Sequence, residues 1–172
     1  RLLRLGVVRE GDRLLFLHSQ TVEGRRCAEL LQRHYQKTFQ VEKREINDLT
    51  YTESRFKMRG LRSLVAHIVD IIQTERNQAR SPLINATGGF KAEIAYATLI
   101  GLLFHVPVYY IHEKFNDIVE MPTVPIAWDY SLFADHRQFF QWIGSDYRLA
   151  AEVEQRLRGL PSEVRLLLTE DD

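Results

Sequence analysis

Cysteine is nearly absent from this chain of 172 residues, with Cys27 the single copy. That excludes an internal disulfide and a thiolate zinc site, and it fits a reducing, cytoplasmic compartment. Charge of one sign is absent as well. Lys plus Arg number 23 and Asp plus Glu number 23, so no global basic field argues for duplex nucleic acid or for an anionic membrane surface, and any anion site must be local. Lysine itself is scarce, 5 residues against 18 arginines. No run of about 18 apolar residues spans a membrane, and no signal peptide is visible. The chain opens on Arg1 rather than Met, which leaves room for an upstream segment. There is no internal repeat and no low-complexity linker.

What is present is enough apolar material, 45% of residues, for a core of ordinary size. The chain alternates strands and helices. "RLLFLH" at 13–18 reads as a buried strand that opens through Ser19 and Gln20 into a helix capped by Thr21 and running to about Lys37. "QVEKREI" at 40–46 is a weaker strand, suited to a sheet edge. A long helical region follows from Thr52, bent near Gly60, after which Leu61, Leu64, Val65, Ile68 and Ile72 recur at helical spacing. A strand at 82–87, a helix from about Phe90 to Phe104, and strands at 107–112 and 117–122 complete the alternation. The helix is apolar nearly all round and is expected to be buried. The pattern predicts an α/β fold, a Rossmann-like open, mainly parallel sheet with helices on both faces. Beyond residue 126 the character changes. Residues 129–144 are aromatic-rich and loop-like, and 146–158 form a charged amphipathic helix, so a ligand-binding domain over 1–126 and a small C-terminal helical appendage over 127–172 are expected.

In an open parallel sheet, ligands bind beyond the carboxyl ends of the strands, where loops feed helix N-termini. Two loops qualify: Ser19-Gln20-Thr21 and Thr87-Gly88-Gly89-Phe90-Lys91. Glycines let backbone N–H groups approach a ligand closely, and the helix dipole adds positive potential there. Phosphate is the natural ligand, and an anion bound there would offset the placing of Lys91 in a first helical turn. The plainer alternative makes Gly88 and Gly89 a tight turn and Lys91 a solvated surface residue. The spacing is neither that of a P-loop nor that of a dinucleotide fingerprint. Other constellations fail. Arg62 and His67 match the R-x4-H spacing of an all-helical RNase class at the rate expected by chance, the six histidines lack metal-ligand spacing, and Ser19 lacks a nucleophile elbow.

"LHSQTVEGRRCAELL", "RFKMRGLRSLV" and "INATGGFKAEIAYATLIGLLFHVPVYYIHEKFNDIVEMPTVPI" resemble the CRISPR-associated Rossmann fold, the CARF domain, in its Asn-Ala-Thr-Gly-Gly-Phe-Lys-Ala-Glu subgroup. The resemblance covers roughly Gly11 to Ile126. It implies a sensor of cyclic oligoadenylates, the second messengers of type III CRISPR antiviral defence, with cyclic tetra-adenylate lying across the twofold axis of a homodimer and no cofactor or metal. It further implies that Ser19, Gln20, Thr21 and Gly24 line one wall. Asn85, Thr87, Gly88, Gly89, Phe90 and Lys91 would cradle phosphates and riboses, and Arg55 and Phe56 would contribute to base pockets. Relatives that cleave the ring carry a Gly-Thr-Ser-Leu loop whose serine works beside the lysine; this chain has Lys91 without that loop. A non-enzymatic sensor is therefore expected, with a metal-independent ring nuclease using Lys91 as the alternative. The effector would lie outside these residues. The architecture resembles the soluble part of a CRISPR-associated membrane protein, anchored in the inner membrane by an N-terminal transmembrane helix.

Overall fold

The apolar run after Asp12 forms strand β1, Arg13–Ser19, all of it half-buried. It pairs in parallel with β2, Gln40–Ile46, in a register that runs from Arg13 opposite Gln40 to Ser19 opposite Ile46, so both strands deliver their loops to one edge. Helix α1, Val22–Tyr35, makes the crossover and buries Ala28. The weak alternation of β2 has a reason. Its charged side chains pair with neighbouring elements: Glu42 takes a two-pronged bond from Arg13 at 2.6 and 2.9 Å, Glu45 pairs with Arg25, and Arg44 meets Asp70 at 3.1 Å. The computed structural model describes residues 1–50, 52–112, 114 and 117–168, apart from the side chains of Arg55, Lys57, Met58 and Leu166.

After β2 a short helix α2, Glu53–Arg55, widens through a single π turn at Phe56–Gly60 into α3, Leu61–Asn77. The bend expected near Gly60 is met by this π turn, whose last residue, Gly60, keeps helical dihedrals; a Cβ there would stand 2.6 Å from the Asp48 carbonyl oxygen, so glycine is what admits that approach. Leu64, Ile68 and Ile72 of α3 pack with Ile46, Leu49, Ile100 and Val106 in the main core. At the end of α3 the buried Glu75 is held by Arg13 and Arg80.

A second ladder carries β3, Ile84–Asn85, parallel to β4, Val108–Tyr110, with β5, Val119–Glu120, antiparallel to β4. These strands are shorter than the sequence predicts. The fold is thus mixed α/β with parallel pairs, arranged among the described residues as two ladders, β1-β2 and β3-β4-β5. Helix α4, Lys91–Leu103, crosses from β3 to β4 and packs on α3. Its predicted all-round burial is not observed: Ile100 and Gly101 are buried, while Tyr96 and Leu99 are 41% and 42% exposed. α3 covers one side of the helix and the other keeps an apolar stripe open.

The chain forms two compact units, Arg1–Ile126 and Ala127–Asp172. In the second, the stretch read as loop contains two short helices, α5 at Ser131–Asp135 and α6 at Arg137–Gly144, followed by α7, Ala150–Leu157, and α8, Ser162–Leu166. Aromatic residues are mediocre helix formers, and here packing overrides propensity: Phe139, Leu157 and Val164 make a small core of their own. Arg156 stacks over Trp142 at 4.1 Å. No helix among the described residues is long and apolar enough to cross a membrane.

Candidate functional site

Two loops at the carboxyl ends of parallel strands, in the first unit, hold most of the residues singled out in the sequence. The first loop is knotted by its own hydroxyls. Thr21 caps α1 by accepting the Gly24 N–H at 3.0 Å, and its Oγ1 lies 2.9 Å from Ser19 Oγ, so the two hydroxyls share a hydrogen bond. Gly24 is required by space, since a Cβ would run into Ser19 Oγ and stand 2.7 Å from the Ser19 carbonyl oxygen. Gln20 reaches sideways: its N–H donates to the Leu49 carbonyl at 2.9 Å and its Oε1 accepts the Asp48 N–H at 3.1 Å. That pair of bonds ties the exit of β1 to the exit of β2, from which Thr50 and Glu53 continue.

The second loop is built on Thr87. Its hydroxyl donates to Asn85 Oδ1 at 2.5 Å and accepts the Ile111 N–H at 3.0 Å, so it links the exits of β3 and β4 and fixes the Asn85 amide. The hydroxyl's one hydrogen is committed to Asn85 and one of its two lone pairs to Ile111. Gly88 is exposed, and a Cβ there would meet nothing within 4 Å. Gly89 differs, with φ at +116°, in a region that side chains rarely enter. Phe90 then caps α4, and its N–H donates to Glu93 Oε2 at 2.9 Å, half of a capping box closed from the helix side. Burial pushes the Glu93 carboxyl above the usual carboxylate range, with the Phe90 N–H pulling the other way.

Lys91 stands exposed in the first turn of α4, with no partner for its ammonium among the described residues. Beside it opens a cleft of about 510 Å³ lined by Thr50, Glu53, Phe56, Phe90, Lys91 and Ala92. Phe56 and Phe90 meet edge to face at 5.9 Å on its wall. The structure therefore brings Phe56, Phe90 and Lys91 together, and it keeps Ser19, Thr21 and Gly24 in a separate hydrogen-bonded group. The Arg55 side chain lies outside the described residues. Four lining or supporting residues, Thr50, Glu53, Ala92 and Glu93, were not singled out as site residues in the sequence. Glu93 carried a signal in its position three residues after the helix cap, whereas Thr50 and Glu53 carried none.

Residues 3–124, more than half of the chain, match the model of the family described as CRISPR-associated protein (Cas_APE2256). The chain belongs to this family. A solved structure similar to this Cas_APE2256 chain is that of Can2 from Sulfobacillus thermosulfidooxidans in complex with cyclic tetra-adenylate, at 11% identity and a TM-score of 0.49. The match covers 85% of this chain and 49% of that one, so the Cas_APE2256 chain spans about half the length of Can2. The matched family segment takes in both loops and the cleft, and it ends two residues short of the boundary between the two compact units.

Chemically the candidate site offers two exposed glycines, the exposed ammonium of Lys91, the Asn85 amide held by Thr87 and an aromatic-walled cleft. Those groups suit an anion attached to a flat, partly apolar ring.

Proposed function

We propose that this chain is a cyclic oligoadenylate sensor of CRISPR antiviral defence. Its ligand is cyclic tetra-adenylate, bound across a homodimer, and its output passes to an effector outside these residues, for which an N-terminal transmembrane helix is one form. The observation that carries the reading is Lys91 on the lining of the cleft walled by Phe56 and Phe90, two residues after the exposed Gly88-Gly89 pair. A nucleotide needs both: a cation and free N–H groups for its phosphate, and an apolar slot for its base. Membership of a CRISPR-associated family supports the same reading. A ring of four identical nucleotides has twofold symmetry, so two copies of one site, related by an isologous interface, would match its two halves. The open stripe of Tyr96 and Leu99 on α4 is apolar surface of the kind such an interface uses. In this reading β1 to β4 form a Rossmann-like frame whose strand exits converge on the ligand.

Cleavage of the ring would need the ribose 2′-hydroxyl held in line with the phosphorus and the departing oxygen stabilised. Lys91 is a donor for the second task, but Ser19, the serine at the exit of β1, already shares its hydroxyl with Thr21. Sensing without turnover is therefore the expected behaviour. Calorimetry with cyclic tetra-adenylate, followed by chromatography of the recovered ligand, tests the reading. One intact ring per two chains supports a sensor, linear fragments establish a ring nuclease instead, and no binding removes both.

A further inference from the structure

Glu93 suits the helix and opposes the ligand. It lies in the first turn of α4, half-buried, where a carboxylate complements the helix dipole but repels the phosphate that Lys91 and the helix N-terminus would attract. Geometry supplies a reason for it. Its Oε2 accepts the Phe90 N–H at 2.9 Å, and that same oxygen fills the space into which a Cβ on Gly89 would project. Gly89 takes a φ of +116°, and the Phe90 N–H that follows it faces back into the helix, toward Glu93. The Ile94 N–H closes the first helical bond to the Phe90 carbonyl at 3.1 Å. The N–H groups of Lys91 and Ala92 have no acceptor among the described residues. Side chain and backbone thus divide the donors at this end of α4: one is taken inward by Glu93 and the next two are left outward.

We infer that Glu93 is a positioning residue of the ligand site, holding the Gly88-Gly89-Phe90 turn so that Lys91 and the first free N–H groups of α4 face the phosphates. This rests on the sensor reading above. The requirement is for an acceptor oxygen at this position, and the negative charge that comes with it opposes the ligand. A role in shape and a role in charge therefore separate cleanly in two substitutions. Glu93→Gln keeps an oxygen to accept the Phe90 N–H and discards the charge, whereas Glu93→Ala discards both.

The test measures cyclic tetra-adenylate affinity and, without ligand, the solvent exchange of the Phe90 amide, in the full chain and both variants. Loss of one hydrogen bond predicts exchange about fivefold faster and affinity about fivefold weaker in Glu93→Ala. Glu93→Gln should match the unaltered chain in exchange and bind at least as tightly, the conservative variant rescuing what Glu93→Ala loses. Equal affinity for Glu93→Ala and the unaltered chain overturns the inference, as does a Glu93→Gln variant that fails alongside Glu93→Ala. If the unaltered chain binds no cyclic tetra-adenylate, the sensor reading falls. The exchange data then still decide whether Glu93 holds the turn, unchanged exchange in Glu93→Ala overturning that too.

Discussion

Gly88 and Gly89 are adjacent, identical in sequence terms and opposite in what they should tolerate. At Gly89 an alanine must adopt φ near +116° and push its methyl into the Glu93 carboxylate. Holding a side chain in such a sparsely populated backbone region costs about 1 to 3 kcal/mol. In a chain of this length each kcal/mol shifts the melting temperature by about 2 to 4 °C, so Gly89→Ala should melt about 2 to 12 °C lower. At Gly88 the added methyl meets nothing within 4 Å. The substitution should leave stability within about 0.5 kcal/mol of the original, and reduced freedom in the unfolded chain pushes toward stabilisation. Binding should order them differently. The Gly88 methyl points into open space beside the backbone proposed to meet phosphate, so Gly88→Ala should weaken cyclic tetra-adenylate binding while the fold stays intact. Differential scanning calorimetry gives the first quantity and titration calorimetry the second. Equal melting temperatures for the two variants would refute the reasoning, because they would mean that the turn relaxes and that neither the positive φ nor the Glu93 contact constrains it.

Lys91→Ala should lower affinity for cyclic tetra-adenylate about ten- to a hundred-fold, the weight of a charge-assisted hydrogen bond; because the side chain is exposed, melting should not move. Acid should destabilise the first unit through Glu42 and Glu75. Arg13 holds the Glu42 carboxyl below the ordinary value of 4.5, and Arg80, then Arg13, does the same for Glu75. Their contribution is present above that value and is lost as pH falls through the lowered folded-state pKa, whereas Glu93, shifted upward, works in the opposite direction. Urea midpoints measured down the acid range should fall less steeply in Glu75→Gln than in the unaltered chain. Phe139→Ala should destabilise the second unit by about 3 to 5 kcal/mol. Both tryptophans, Trp128 and Trp142, lie in that unit, so an unchanged fluorescence transition would refute a core built on Phe139.

Much of the first unit was readable because its signals are local. A hydroxyl before an apolar periodic run marked Thr21 as a cap, and a glycine inside a helical pattern marked the bend at Gly60. The glycine pair before α4 marked a loop, but its geometry was not readable: Gly89 needs glycine for backbone and space while Gly88 does not, a difference that depends on where Glu93 folds back. The two-sided bonding of Thr87 was likewise hidden, since Ile111 follows another strand, 24 residues further along the chain. Hydropathy pointed to burial of α4 on every side, yet α3 packs on one side of it and Tyr96 and Leu99 stay open. In the second unit, clustered aromatics resembled a loop until their mutual packing made helices of them.

The separation of the two ladders sets how the site can respond. The Ser19 loop belongs to β1-β2 and the Gly89 loop follows β3 of the other ladder, and among the described residues no backbone hydrogen bond joins one ladder to the other. Ile46 of β2 and Ile84 of β3 share instead an apolar cluster to which α3 and α4 bring Leu64, Ile68, Ile72 and Ile100. Hydrogen-bonded ladders resist stretching, whereas apolar packing can slip between neighbouring arrangements. In the proposed site the two jaws would thus be stiff ladders joined by a greasy hinge. A ring touching both jaws would register as a change in the gap between them, and trimming a methyl group at Ile68 or Ile100 would retune the gauge without touching a single ligand contact.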